Sequence, residues 1–444
     1  MARRDFGSFH ASNVQELLEL PDEKYEAPHF PVDRPSFEEY KNNPPEFGKE
    51  MRKKHFLLEP EVTFINHGAF GAVLSEALEN GQKYQRHTEL QPLRFLDREL
   101  FPLLVDISRQ LAKFVGCDPT DLVLVSNATT ATSTVVRGIP FTKEDTIFFL
   151  NTTYGAVKKL LREVSRLTGV HLQEETVELP LTNRNQIIEL VQDKLKPGTR
   201  LAIFDHIASN FALTMPVKEI IEICHQRKVA VYVDGAHALG SQKLNLRSLR
   251  PTYYTSNAHK WLSTPKGCAF MYVDKSCQDT VRPLVVSHGY GAGFNSEFIW
   301  TGLRDYSSFF AMLVNIDFWR TLGEDRIHSY MRSLVKRAVQ YLSEKWSAPP
   351  VAPSDMFDSM ALIQLPDSLH FVPPPLTEVD FSCAESIQNE LYHKYNIEVP
   401  IKAIQGCLYV RISGHIYNEM SDYERLAEAV LEITVRRKQE GQVE

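Results

Sequence analysis

The chain has 444 residues, 43% of them hydrophobic and 24% charged, with a formal net charge of −7. That is the make-up of a soluble globular protein long enough for a large core and for two domains in one unit. The acidic balance excludes bulk attraction to nucleic acid or to an anionic membrane, so no partner of either kind is expected and any bound anion must be held by a local site.

The N-terminus, MARRDFGSFHASNVQELLEL, carries an Arg-Arg pair with no apolar stretch behind it, and reads as a cytosolic start rather than an export signal. No run approaches the roughly 18 apolar residues of a membrane span. Six cysteines (Cys117, Cys224, Cys268, Cys277, Cys383, Cys407) are scattered without a CxxC pair, which fits a reducing compartment. A cytoplasmic protein is expected. Residues 1–60 read as a Pro-bearing arm with one short helix near Val14 to Leu20, laid over the body or across a neighbouring subunit.

From Thr63 the pattern becomes β/α. The run DLVLVS leads into the helix NATTATSTVVRG, and TIFFLN precedes YGAVKKLLREVSRL, whose apolar residues recur at helical spacing. VHLQEETVEL, the helix NQIIELVQDKL, the strand RLAIFDH, the helix VKEIIEICHQRK and the strand VAVYVDGAH follow. Short β-branched runs alternating with amphipathic helices predict an α/β fold with a mostly parallel sheet covered on both faces. No period of 20–50 residues signals a solenoid. Past Arg320 the texture changes: a long amphipathic helix, Pro-rich linkers (SAPPVAPSD, FVPPPL), strand-like MALIQL and LYVRIS, and a last helix with a capping box from Ser421 to Glu424. The expected division is an arm (1–60), a large α/β domain (61–315) and a smaller α+β C-terminal domain (316–444).

In open α/β sheets ligands collect at the carboxyl ends of strands. Several strand ends here carry unusual polar residues: Asp234 and His237 after VAVYV, Asn127, Thr129 and Thr130 after DLVLVS, and Asp205, His206, Ser209 and Asn210 after LAIF. Lys260 stands 26 residues beyond Asp234, in YYTSNAHKWLSTPKG. An aldehyde cofactor such as pyridoxal phosphate requires a lysine for a Schiff base and a carboxylate to keep its pyridine nitrogen protonated, which Lys260 and Asp234 supply. It requires a phosphate cradle, for which the helix start at NATTAT serves, and a ring to stack on, for which Tyr154 is placed. Singly, each piece has a plainer reading: a strand-end Asp is commonly a turn residue, NATTAT an ordinary N-cap, His237 and His259 hydrogen-bonded structural histidines. The Asp/His set has no spacing diagnostic of a metal, and none is expected. The combination and its order carry the reading.

The segments FINHGAFG, SNATTAT, DHIASNFALTMPV, VDGAHALG, YYTSNAHKWL, WTGLRDYSS and VRISGHIYN, spread over residues 64–418, resemble fold-type I pyridoxal-phosphate enzymes of the class V aminotransferase superfamily. The branch resembled is the isopenicillin N epimerase-like and L-cysteine desulfhydrase-like one. The resemblance implies Lys260 as the Schiff-base lysine, Asp234 as the pyridinium partner and His237 beside the cofactor's phenolic oxygen. It implies Thr129, Thr130 and His259 at the phosphate, Tyr154 stacked on the ring, and Ser209 and Asn210 among the cofactor contacts. Trp300, Thr301 and Gly302 match a segment that reaches the phosphate of the neighbouring subunit, so a homodimer with shared sites is implied. Arg411 matches the arginine that grips the substrate α-carboxylate, with Asn66, His67 and Gly68 lining the substrate side.

The implied reaction is C–S β-elimination on L-cysteine or an S-substituted cysteine. Amino-acid epimerisation, cysteine desulfuration and a non-catalytic binding relative of the same fold are the alternatives. A desulfurase needs a nucleophilic cysteine on a loop over the site. Cys383 begins a helix and Cys407 lies in or beside the strand of Arg411, so both read as packed thiols.

Overall fold

The computed structural model describes residues 13–370 and 379–439. The Arg-Arg pair and the FVPPPL stretch lie outside the described residues. Seven strands form the central sheet: β1 (Leu122–Val125), β2 (Thr146–Leu150), β3 (His171–Glu175), β4 (Leu201–Asp205), β5 (Ala230–Asp234), β6 (Tyr253–Asn257) and β7 (Ala269–Val273). Their spatial order is β1-β7-β6-β5-β4-β2-β3, and β7 alone runs against its neighbours. The sheet is therefore mostly parallel, as the alternating pattern predicts. β4 to β7 are rich in β-branched and aromatic residues and almost wholly buried, as strands covered on both faces must be.

The period of two sorts these strands between two cores. Ala202, Phe204, Val231 and Val233 join the larger cluster, while Leu201, Ile203 and Tyr232 join the smaller one. Helices α1 (Ala128–Gly138) and α2 (Gly155–Thr168) cover the latter face, α2 through Val157, Leu161 and Val164 at helical spacing. Gly169, at φ 79°, closes α2 in the left-handed conformation that a C′ glycine adopts without strain. Helices α3 (Asn185–Lys194) and α4 (Val217–Gln226) lie on the opposite side, their buried residues in the larger cluster.

Next comes α5 (Ser307–Leu322), buried along nearly its whole length, and then the 23-residue α6 (Glu324–Trp346). Residue 315 falls inside α5, where Asn315 is fully buried and its side-chain amide donates to Ser263 O at 3.0 Å. A second, antiparallel sheet consists of β8 (Met360–Gln364), β9 (Ile401–Ile404) and β10 (Cys407–Ser413) in the order β9-β10-β8. Helices α7 (Phe381–Tyr395) and α8 (Met420–Gln439) complete this part. The expected capping box does not form. Asp422 Oδ2 instead accepts from Glu419 N at 3.1 Å, and the Ser421 hydroxyl donates to Glu419 at 2.7 Å. The helix begins at Met420, so Ser421 lies inside its first turn, and Asp422, three residues after Glu419, takes the place expected of Glu424.

The described part of the arm lies on the body of its own chain. Helix Val14–Glu19 is held by Arg109, which donates to Leu17 O (3.2 Å) and Leu18 O (2.9 Å) and lies 4.1 Å over the Tyr25 ring. Residues Thr63–Phe64 then pair in parallel with Ile397–Glu398. That short pairing, with Ser413 N donating to Ile65 O at 3.0 Å, sets the FINHGAFG segment against the strand of Arg411.

Candidate active site

The carboxyl ends of β4, β5 and β6, the N-terminal ends of α1 and α2 and the loop carrying Lys260 enclose one cavity. Asn127, Thr129, Thr132, Tyr154, Asp205, Ser209, Asp234, His237, Asn257, His259 and Lys260 all line it, with Phe70 at its edge. Gly71 lets the chain pass close to the lysine loop. At φ 73° it occupies a conformation that favours glycine, and a Cβ there would sit 2.1 Å from His259 O.

Lys260 Nζ lies 3.0 Å from His237 Nε2. Trp261 Nε1–H donates to His237 Nδ1 at 3.3 Å, so the neutral imidazole carries its proton on Nε2 and directs it at the lysine nitrogen. Burial, aided by the charges of Lys260 and Arg411, holds His237 well below its ordinary range. Burial and the Arg411 charge also push the Lys260 amine down to about 7, with Asp234 opposing them. A free-base lysine beside a neutral histidine is the form that attacks an aldehyde or accepts a proton.

At one end of the cavity α1 presents its N-terminus. Asn127 caps it, accepting from Thr130 N at 2.8 Å, and Asn257 Oδ1 accepts from Ala128 N at 2.9 Å. Eleven residues of aligned helix behind this turn favour an anion there. His259 closes the same side, with its Nδ1 at 3.0 Å from Cys268 O and its pKa lowered by burial to about 4.

Arg411 stands toward the small sheet, 4% exposed. Its Nη1 donates to Ser209 O at 2.7 Å and its Nη2 to Asn66 Oδ1 at 3.0 Å, while Asn66 Nδ2 donates to Glu398 Oε1 at 2.9 Å. Among the described residues no carboxylate pairs directly with this guanidinium, and its Nε has no partner. Burial lowers its pKa to about 10, which leaves it charged at neutral pH. A buried cation fixed by two neutral acceptors is a receptor for a carboxylate. Gly68 keeps the approach open, since a Cβ there would meet Met360 Sδ at 2.4 Å, His237 at 3.5 Å and Arg411 at 3.6 Å.

The structure thus brings Lys260, Asp234, His237, Thr129, Tyr154, His259 and Ser209 to one cavity wall and sets Asn66, Gly68 and Arg411 near it, Arg411 through Ser209. Thr130 and Asn210 do not line it. Thr130 spends its amide on Asn127 and its hydroxyl on Ser126, 3.3 Å away. His67 departs from the expected substrate-lining place. It is fully buried, with Nδ1 at 2.8 Å from Tyr417 OH, Nε2 at 2.8 Å from Lys260 O and its ring stacked on His415 at 4.1 Å. Both ring nitrogens are used, so it buttresses the lysine backbone. Thr301 and Gly302 are also absent from the cavity wall of their own chain. Asp205, named in the sequence only as a strand end, lines the cavity, and so do Asn257 and Phe70. Asn257 could have been noticed as the residue closing the buried strand YYTSN three positions before Lys260, whereas Phe70 carries no local signal.

A family model, Aminotransferase class-V, matches residues 76–347. The chain belongs to the class V aminotransferase family. It is similar to a probable chloroplastic L-cysteine desulfhydrase of Arabidopsis thaliana, 31% identical over 402 residues that cover 84% of this chain and 83% of that one. It is also similar to a hercynylcysteine sulfoxide lyase of Schizosaccharomyces pombe, 25% identical, with 86% and 97% covered. Among solved structures, a cystine C–S lyase in complex with cysteine persulfide superposes with a TM-score of 0.71 at 20% identity, with 84% and 97% covered. That likeness concerns the fold.

The donor set of this class V aminotransferase relative fits pyridoxal phosphate. A free-base lysine, a buried carboxylate, a capped helix N-terminus and an aromatic ring surround a single cavity. Lys260 would hold the aldehyde carbon, Asp234 the ring nitrogen, the α1 turn with Thr129 and His259 the phosphate, and Tyr154 the ring face.

Proposed function

We propose that the protein is a pyridoxal-phosphate-dependent C–S β-lyase acting on L-cysteine or an S-substituted cysteine. The observation that carries this reading is the joint placement of Lys260, Asp234 and Arg411 around a cavity whose lining residues include no cysteine. The L-cysteine desulfhydrase and sulfoxide lyase among its relatives support the same choice. When bound, pyridoxal phosphate supplies an electron sink for the carbanion left at Cα. Arg411 fixes the substrate α-carboxylate, and Asn66, anchored by Glu398, sets the plane of the guanidinium. Lys260 Nζ, neutral above about pH 7, takes the α-proton. The His237 Nε2–H faces the Lys260 nitrogen and suits its free-base form, and Asp234 would pair with a cationic ring nitrogen. The Cβ–S bond then breaks with the electron pair going to sulfur, which leaves as sulfide from cysteine or as the thiol of an S-substituted cysteine, and water hydrolyses the remaining enamine/imine to pyruvate and ammonia.

Cys383 is buried near the start of α7 and Cys407 is half-buried on β10, which disfavours a desulfurase that must present a thiol over the substrate. All six cysteines are free thiols, in keeping with a cytoplasmic protein. The assembly proposed is a homodimer with shared sites. Its support is the exposed apolar run of Leu284, Val285, Val286, Tyr290 and Leu303, which flanks the Trp300–Gly302 segment. The test of function is pyruvate release from L-cysteine and a panel of S-substituted cysteines. Pyruvate from at least one is expected, and none from any of them would refute the lyase reading.

A further inference from the structure

Asp205 and Asp234 end neighbouring parallel strands at the same register, and His206 N donates to Asp234 O at 2.8 Å to lock the alignment. Two residues earlier on each strand, Ile203 and Tyr232 pack into the smaller core beneath α1 and α2. The period of two therefore sends both carboxyl groups to that same side, about 5 Å apart at the backbone, where both line the cavity with Thr132 and Val157. Asp205 is 4% exposed and Asp234 7%.

The surroundings of the two are unequal. Asp234 accepts Ala236 N at 3.0 Å and feels the charge of Lys260. Asp205 accepts the Thr152 hydroxyl at 3.1 Å and a backbone N–H, and feels the charge of Lys158. Lys158, on α2, commits its ammonium to Asn151 O at 2.8 Å and to Glu174 at 2.6 Å. His206 is neutral, with Nδ1 at 2.8 Å from Tyr254 OH, and Tyr254 on β6 and Tyr232 on β5 face the pair as neutral phenols. The Thr132 hydroxyl on α1 donates to Ala128 O at 2.9 Å and lies 2.8 Å from the Tyr232 hydroxyl. Burial raises both carboxyl groups, and the charge of Asp234 raises Asp205 further. Two buried carboxyls side by side hold one proton, and burial with the neighbouring Asp234 charge places it on Asp205.

We propose that Asp205 is a positioning residue that carries a proton beside Asp234, so that the strand-end pair offers one negative charge, on Asp234, to the ring nitrogen. This rests on the reading that the cavity takes pyridoxal phosphate. A neutral acid at Asp205 can donate a hydrogen bond and steady its partner.

The experiment compares wild type with Asp205→Asn, whose amide imitates a protonated acid in size and donor capacity. The infrared difference between the two proteins at neutral pH is expected to show the C=O stretch of a protonated carboxyl. The affinity of the apoprotein for pyridoxal phosphate should change by no more than about threefold, and the visible band of the bound cofactor should be unmoved. Asp205→Leu removes the donor and should shift that band and weaken cofactor binding by about tenfold or more. An ionised carboxylate in the infrared difference, or an Asp205→Asn protein that loses the cofactor, overturns the proposal. So does an Asp205→Leu protein indistinguishable from wild type. Wild type that takes up no pyridoxal phosphate overturns it together with the cofactor reading, whereas wild type that binds normally while Asp205→Asn does not leaves that reading standing.

Discussion

Replacing Arg411 by Lys isolates the grip on the substrate carboxylate. Arg411 spends one N–H on Ser209 O and one on Asn66 Oδ1, and its buried Nε–H and the remaining Nη hydrogens are left for a ligand. A lysine ammonium has three N–H groups. Two would go to the same acceptors, so a carboxylate that takes two bonds from arginine would keep one. A hydrogen bond to a charged group contributes about 1.5–3 kcal/mol, so kcat/KM should fall roughly 10- to 150-fold. The α-carboxylate bears the same charge before and during proton removal. The loss should therefore fall on KM, with kcat held within a few-fold. The assay is initial-rate pyruvate release against L-cysteine concentration, with the cofactor spectrum before substrate addition as the control. A variant whose KM stays within about twofold of wild type, or one that cannot hold the cofactor, would refute this role for Arg411.

Uptake of pyridoxal phosphate by the apoprotein should accelerate as pH rises through about 7, where Lys260 loses its proton, and level off above; a midpoint near the ordinary 10.5 would contradict the buried-amine geometry. The folded state releases this proton at about 7 and the unfolded chain at 10.5, so apoprotein stability should also climb with pH across that window, the penalty being full below it. Asn257→Ala, which strips the acceptor from Ala128 N, is expected to weaken cofactor binding by about 1–3 kcal/mol in a spectral titration while leaving KM for cysteine nearly unchanged. Gly71→Ala should destabilise the protein by roughly 2–4 kcal/mol in denaturant unfolding, since the new Cβ meets a backbone carbonyl at positive φ. Leu303→Asp, at a residue 71% exposed beside the Trp300–Gly302 segment, should shift sedimentation toward monomer and reduce activity with it; an unchanged dimer would place the interface elsewhere.

Local patterns made most of the fold legible. Strands such as AVYVD and LAIFD announce themselves because residues buried on both faces must be apolar throughout, and α2 and α6 because their apolar spacing matches one helical face. The site was legible where a residue's chemistry is decided within a few positions, as for Lys260 after the β6 strand and Asn127 capping α1. Contacts across the sequence were not. The sequence puts His67 on the substrate side, but Tyr417 and Lys260 O, 350 and 193 residues away, occupy its ring nitrogens. The pairing of Asp205 with Asp234 depends on strand register, which the hydrophobic pattern of either strand alone does not specify. The capping box at Ser421 failed because the helix starts a residue earlier, at Met420, with Asp422 accepting from Glu419 N.

The most direct test of the lyase reaction is stoichiometric. Purified protein loaded with pyridoxal phosphate is given L-cysteine or an S-substituted cysteine in deuterated water, beside Lys260→Ala. Pyruvate and the sulfur product (sulfide from cysteine, thiol from an S-substituted cysteine) should appear in equal amounts from wild type and be absent from the variant. Recovery of intact, α-deuterated or inverted amino acid with no pyruvate would contradict β-elimination and leave epimerisation on the same residues.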